Sequence, residues 1–484
     1  MKGATGHRAA TATVWAAVDR FGVMAVQFVA NMVLAWLLSP ADFAVIGILA
    51  VFIAVSNSLL DGGFGAALIQ KQKPTGSDYT TVFYFNAAVS VILYGVLYVA
   101  APAIAAWFAI PVLGPVLRVL GLVLIANAFC IIPATRLRKR LSFRQLSIVS
   151  LVSALSGSVV AVLLALRGDG VWALVALQLV AATVRCILLW AVTRWSLSAG
   201  FSIRSLRSLF GFGGYMFAAG LLQETCNNIQ GAVIGRFAPL SVGYFNQARK
   251  LDQVTSYTLP NVLVQVLFPV YSSYSGDCGR LAAVLASNVR LVSLLVMPLL
   301  CVLAILAEPL IALIYTDKWL PAVPYFRIFC VAGLTASLQN INFYAVAAAG
   351  RSGQLFAWSL YKWPMLLVFI FIGKIWGVTG ICWGMTAGAA NIYLVNAALA
   401  SKYVGYGVGA QMADILPPLL TSLAGLGIAM SVNMFVPEIP AAVIASGFTL
   451  FYLLVAATFR FRGIADLRGV LKMLKNRPQR AKTP

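Results

Sequence analysis

The sequence predicts an all-α polytopic membrane protein of about fourteen transmembrane helices: two parallel six-helix lobes around a central cleft, plus two C-terminal helices. Three observations carry this expectation. Of 484 residues, 61% are hydrophobic and only 10% charged, with a mean hydropathy of +0.91, far from the roughly 45–50% apolar and 25% charged usage of soluble domains. The apolar residues fall in runs of about twenty, enough for one bilayer-crossing helix, not in the ten-residue alternating segments of a barrel. The two halves of the chain also resemble each other.

In chain order, the runs place spans near 14–38, 43–69, 80–107, 116–133, 145–166, 171–193, 211–235, 239–270, 283–307, 322–347, 355–375, 377–399, 411–434 and 440–459. The second contains FAVIGILAVFIAVSNSLL, without a charge, and runs into DGGFGAALIQKQK (61–73). There the glycines permit close packing or a bend, and Lys71 and Lys73 hold the loop at the inner surface. The span at 239–270 is the least regular, because GYFNQARKLDQ is polar and Pro260 and Pro269 interrupt it. Connections are short, so no soluble domain is inserted between spans.

Charge sorts by side. With the N-terminus inside, inner segments hold 23 lysines and arginines and outer loops four, Arg167, Arg236, Lys318 and Lys374. The positive-inside rule therefore predicts an even helix count and cytoplasmic ends, and accounts for most of the net charge of +22 without nucleic acid. In the tail, 460–484, Ile464, Leu467, Leu471 and Leu474 share one helical face with Arg468, Lys472 and Lys475 off it. That pattern predicts an interfacial helix on the anionic inner leaflet. The first apolar run is too long for a cleavable signal.

Several chemistries lack their residues. The single histidine, His7, lies in the N-terminal tail, the seven cysteines are scattered without ligand spacing, and no Walker-type phosphate loop occurs. The expectation is a non-enzyme without cofactor or metal, with sodium or proton coupling left open.

The repeat aligns LLSPADFAVIG (37–47) with RFAPLSVGYFN (236–246), APAIAAWF (101–108) with EPLIALIY (308–315), and GPVLR (114–118) with VPYFR (323–327). Pro40 falls on Pro239, Pro102 on Pro309, and Arg118 on Arg327. Six helices per unit put both copies in the same orientation, so the repeat is parallel. The predicted organisation is a lobe at 1–200, a second at 201–402, two added helices at 403–459 and the basic tail.

Charges inside spans are costly and face water or a partner. The cations are Arg20, Arg118, Arg185, Arg249, Lys250, Arg290, Arg327 and Lys362, and the acids recognised are Asp19, Asp61, Glu224 and Asp252. This excess suits an anionic substrate. Arg118 and Arg327 lie about one turn from the outer ends and are expected to snorkel, whereas Glu224, Arg249, Lys250 and Arg185 lie deeper. Three polar stripes follow helical spacing: Arg20, Gln27 and Asn31; Glu224, Asn228 and Gly231; Asn246, Lys250, Gln253 and Tyr257. Each also reads as polar contact between helices. Prolines 260, 269, 298, 364, 417 and 418 are candidate hinges.

LLSPADF (37–43), DGGFGAALIQKQ (61–72), PATRLRKRLSFRQL (133–146), GYFNQARKL (243–251), VLFPVYS (266–272) and KWLPAVPYFRIF (318–329) together resemble the polysaccharide transporter family. These are the Wzx-type flippases of the multidrug/oligosaccharidyl-lipid/polysaccharide exporter superfamily, here the exopolysaccharide-export branch. Ala44 departs from the pattern, where glycine is usual. The resemblance implies an inner-membrane protein moving an undecaprenyl-pyrophosphate-linked oligosaccharide to the outer leaflet, for exopolysaccharide, capsule or O-antigen biosynthesis. It implies a cavity lined by Arg20, Gln27, Asn31, Asp61, Glu224, Asn228, Arg249, Lys250 and Asp252. The residues read for substrate binding are Arg249, Lys250, Arg185, Arg20, Gln27, Asn31, Asn228 and Arg290, with Glu224, Asp252 and Asp61 for coupling or charge pairing. The partners expected are the lipid-linked anionic oligosaccharide, membrane lipids, and polymerase and export machinery. A drug/cation antiporter is the near alternative, though its ligands prefer an acidic cleft; a membrane polysaccharide polymerase would need a larger outer loop.

Overall fold

Side-chain caps set where the first helices begin. Ser39 accepts from the Asp42 amide at 3.3 Å while Asp42 accepts from the Ser39 amide at 3.0 Å, with Pro40 opening the helix. Thr75 and Asp78 form the same reciprocal box at 3.3 and 2.8 Å. Each box satisfies two amides that the first helical turn leaves unpaired.

The computed structural model describes residues 2–62, 64–71, 74–197, 200–258, 277–436 and 438–475. Among these residues the chain forms eighteen α-helices and no strand. They are α1 (Lys2–Leu37), α2 (Pro40–Asp61), α3 (Phe64–Gln70), α4 (Gly76–Phe108), α5 (Leu113–Leu120), α6 (Leu122–Lys139), α7 (Phe143–Arg167), α8 (Val171–Thr193), α9 (Ile203–Gly235) and α10 (Pro239–Asp252). There follow α11 (Cys278–Ile305), α12 (Ala307–Tyr315), α13 (Val323–Ala348), α14 (Ser352–Gly373), α15 (Gly377–Val404), α16 (Val408–Phe435), α17 (Ala441–Thr458) and α18 (Arg462–Lys475). Eleven described stretches are long and apolar enough to cross a membrane, and one of them, Gly353–Val404, holds both α14 and α15. The predicted spans each coincide with helix, except that the distal part of 239–270, with Pro260 and Pro269, lies outside the described residues.

The expected span at 43–69 is two helices. Gly62 ends α2 with φ of 51°, and α3 starts anew at Phe64. The left-handed conformation is open to glycine without a Cβ penalty and stops the α-helical ladder. This accounts for the first glycine of DGGFG.

The chain divides into two compact units, residues 1–246 and 247–484, with the boundary inside α10. This division reports packing, whereas the lobes at 1–200 and 201–402 were drawn from sequence repetition. In the first unit α7 packs on α1 and α8, α6 on α4 and α8, and α9 on α2. The α2–α9 crossing is so close that a Cβ on Gly231 would meet the carbonyl of Gly47; small residues allow backbones this near in membrane helices. A core of Phe64, Ala67, Leu68, Val82, Phe83 and Ile132 joins α3, α4 and α6. In the second unit α13 and α14 pack on α15, and α11 contacts α13, α16, α17 and α18.

Three prolines inside helices reveal a recurring device. A proline inside a helix cannot donate to the carbonyl four residues earlier, and hydrocarbon offers no water to replace that bond. Opposite Pro102, the freed carbonyl of Tyr98 accepts from Arg118 Nε at 3.5 Å. Opposite Pro133, Phe129 accepts from Trp190 Nε1 at 3.0 Å, and opposite Pro298, Leu294 accepts from the Tyr452 hydroxyl at 3.0 Å. In each case the donor comes from another helix. Arg118 also stacks 4.6 Å over the Tyr98 ring, so it turns inward to protein. Arg327, its counterpart in the sequence repeat, donates Nε to the Ala304 carbonyl at 3.3 Å beside the α11–α12 break. The expectation that both snorkel gives way to local backbone capping.

Candidate functional site

In the first unit, Arg20 and Gln27 are exposed on α1 and Asn31 is buried. Asp61, at the end of α2, is exposed and within electrostatic reach of Arg138. Arg185 is half-buried on α8, near Cys130, and its Nε is buried without a hydrogen-bond partner. On α9, Asn228 donates to the Glu224 carboxylate at 3.2 Å and to its carbonyl at 2.9 Å. The Glu224–Asn228–Gly231 stripe therefore combines a bonded polar pair with the glycine that abuts α2.

In the second unit, the last turn of α10 carries three charges. Arg249 is half-buried and Lys250 exposed, while Asp252 is only 7% accessible and within electrostatic reach of Arg249. Asp252 Oδ1 is buried without a hydrogen-bond partner. Directly after it, Gln253–Thr258 is a π-helical turn. A π-turn holds more residues per turn than an α-helix and often marks functional positions. The spacing that put Tyr257 on the stripe of Asn246, Lys250 and Gln253 assumed an unbroken α-helix, so that register ends at Asp252.

Arg290 has a different setting from the one expected. Its Nε and Nη2 grip Asp466 at 2.6 and 3.3 Å, and its Nη1 bonds Asp414 at 3.3 Å. Asp414 in turn accepts from Arg462 at 3.2 Å and from the Tyr406 hydroxyl at 2.7 Å. Burial, reinforced by this bond to Asp414, pushes the Tyr406 hydroxyl well above its usual range, so it remains a donor. The guanidinium fork is committed to carboxylates, and Arg290 holds α11, α16 and α18 together.

Asp414 lies inside the span predicted at 411–434 and belonged among the in-span acids from the start. Its pairing with Arg290, 124 residues away, had no local signal. Lys362 is buried at 4% accessibility, donates to Asn396 Oδ1 at 3.0 Å and lies 6.0 Å from the Phe343 ring.

The tail helix is corrected in part. Ile464 and Leu467 pack onto a cluster of Leu294, Tyr452, Ala456 and Phe461, and Gly463 touches the backbone of α11 at Arg290. This section of the apolar face is covered by protein instead of lipid. Arg460, Arg462 and Arg468 point outward as exposed residues; the side chains of Leu471, Lys472, Leu474 and Lys475 lie outside the described residues.

The fold is shared with known membrane transporters. A structure titled "Lipid II flippase MurJ, inward closed conformation" matches with a TM-score of 0.73 at 12% identity, covering 92% of this chain and 98% of that one. An inward-facing multidrug resistance MATE family transporter of the MOP superfamily matches with a TM-score of 0.63 at 14% identity, over 81% of this chain and 98% of that one. These likenesses define the fold class. The polysaccharide biosynthesis protein family matches residues 33–324, and the chain belongs to that family. Relatives include the teichuronic acid biosynthesis protein TuaB of Bacillus subtilis (strain 168), 26% identical over 78% of this chain and 80% of that protein. The succinoglycan biosynthesis transport protein ExoT of Rhizobium meliloti (strain 1021) is 25% identical over 96% of each chain. The lipopolysaccharide biosynthesis protein WzxC of Escherichia coli (strain K12) is 23% identical over 80% and 78%.

Proposed function

We propose that this protein is a flippase that carries an undecaprenyl-pyrophosphate-linked oligosaccharide from the cytoplasmic to the periplasmic leaflet of the bacterial inner membrane. The glycan serves exopolysaccharide, capsule or O-antigen assembly, and both chain ends are cytoplasmic. Translocation proceeds by alternating access, as the six-helix lobes rock about the central cleft.

The observation that carries the reading is Lys250. It is exposed midway along an apolar chain, between buried Ala248 and the buried pair Leu251 and Asp252. An ammonium within the membrane is too costly to face hydrocarbon, and we read Lys250 as lining a water-filled space there. Arg249 beside it supplies a guanidinium fork that suits a pyrophosphate. Arg20, Gln27, Asn31, Asn228 and Arg185 extend this polar lining, and Glu224, Asp252 and Asp61 balance its charge or couple it to an ion.

The test reconstitutes the protein in liposomes with a short lipid-pyrophosphate oligosaccharide and follows the sugar's accessibility to an external glycosidase. Wild type should expose the sugar faster than empty liposomes, and Arg249→Ala with Lys250→Ala should slow exposure at least about tenfold, the equivalent of roughly 1.4 kcal/mol. Background rates in wild type, across several glycan lipids, would defeat the reading.

A further inference from the structure

The segment PATRLRKRLSFRQL carries five cations, Arg136, Arg138, Lys139, Arg140 and Arg144, and translocation as proposed gives them no task. Three have visible partners. Lys139 Nζ donates to the carbonyls of Leu68, Ile69 and Lys71 at the end of α3. Arg144 lies 5.8 Å over the Trp15 ring, and Arg138 reaches Asp61 electrostatically.

Arg136 and Arg140 are different. The Arg136 guanidinium stands 5.7 Å from the Tyr79 ring centre and 5.9 Å from that of Trp195. Trp195 is itself fixed against Phe83 at 5.4 Å and Trp190 at 5.5 Å, so an aromatic wall positions the cation. Ring faces attract a guanidinium but do not use the in-plane hydrogen-bonding capacity of its N–H groups. Arg136 Nη1 is buried and has no hydrogen-bond partner. Arg140 is exposed, and its charge reaches both Arg136 and Tyr79.

Among the described residues, no carboxylate forms an ion pair with either arginine. Asp78, next to Tyr79, is already held by Lys71 at 2.7 Å and by the Thr75 amide at 2.8 Å. Two neighbouring guanidinium groups without a counter-ion repel each other, and a multivalent oxyanion both relieves the repulsion and fills the empty N–H positions. The Tyr79 hydroxyl, within electrostatic reach of both, adds a donor.

We propose that Arg136, Arg140 and Tyr79 form a phosphate-binding site at the end of the first unit read as cytoplasmic, separate from the residues assigned to translocation. Its side of the membrane rests on the proposed function; its chemistry does not. The phosphate belongs either to the pyrophosphate of an undecaprenyl carrier or to the headgroup of an anionic phospholipid.

The full chain in phosphatidylcholine nanodiscs is titrated with undecaprenyl pyrophosphate, inorganic pyrophosphate and phosphatidylglycerol. Wild type is compared with Arg136→Gln plus Arg140→Gln, with Arg136→Lys, and with Arg144→Gln. The double variant should bind at least one phosphate ligand ten or more times more weakly, Arg136→Lys should fall between because it keeps charge without the fork, and Arg144→Gln should match wild type. Loss restricted to the pyrophosphates assigns the carrier; loss restricted to phosphatidylglycerol assigns a bulk lipid. Unchanged binding of all three in the double variant overturns the site. Melting temperatures identify a folding defect, and in that event exposed Arg140→Gln alone provides the same comparison. If the site takes the carrier, the double variant should raise the substrate concentration at half-maximal rate in the flipping assay and leave the maximum unchanged. Wild type that binds phosphate without flipping would count against the transport reading alone.

Discussion

Tyr452 shows how one hydroxyl can answer for a missing amide. Its bond to the Leu294 carbonyl occupies the position vacated by Pro298, and removing it leaves a buried acceptor bare. Tyr452→Phe should therefore destabilise the protein by about 1–3 kcal/mol, measured as a fall in melting temperature or in denaturant midpoint in detergent. In a Pro298→Leu background the helix regains its own amide, and the same Tyr452→Phe change should cost under about 0.5 kcal/mol. Equal costs in the two backgrounds would show that the hydroxyl acts by packing alone. At this scale the sequence was only half legible. Pro298, Pro133 and Pro102 could be read as interruptions, but their donors lie on other helices, so the compensation emerged only with the fold. Arg118 was misjudged as a snorkelling residue for the same reason: proximity to a span's end is visible in sequence, and the carbonyl awaiting its Nε is not.

At the scale of elements, hydrophobic runs fixed nearly every helix because bilayer thickness imposes their length. Breaks inside the runs were less readable. DGGFG marked the end of α2, yet the span was still drawn through α3, since both helices are apolar; the π-turn after Asp252 changes register without any composition signal. The docking of α18 depended on Arg290, Asp414 and Asp466, which sequence distance separates. Breaking this network by Arg290→Ala leaves Asp466 without its cation and Asp414 with Arg462 alone, at a local cost of about 3 kcal/mol. Trypsin should then cut detergent-solubilised protein faster at Arg468, and Asp466→Asn should produce a smaller acceleration in the same direction. Cleavage rates equal to wild type would mean that the packing of Ile464 and Leu467 holds α18 by itself.

For the molecule as a whole, the excess of cations suggested an aqueous interior with anionic ligands, but counting charges could not sort their tasks. Arg290 joins helices, Arg118 and Arg327 cap backbone, and Lys250 is the cation proposed to meet the ligand. Lys139 adds a dimension of time. On the proposed topology it is among the inner-side charges that steer insertion of the nascent chain, before α3 has carbonyls to offer. Once the helices assemble, the same ammonium closes the end of α3. Lys139→Arg should preserve the orientation signal yet fit the carbonyl cluster poorly, whereas Lys139→Gln loses charge as well. Cysteine-accessibility mapping should accordingly find native topology in the arginine variant, together with a lowered melting temperature. One lysine thus serves first as an instruction to the insertion machinery and later as part of the finished scaffold, and the two duties can be inherited or lost separately.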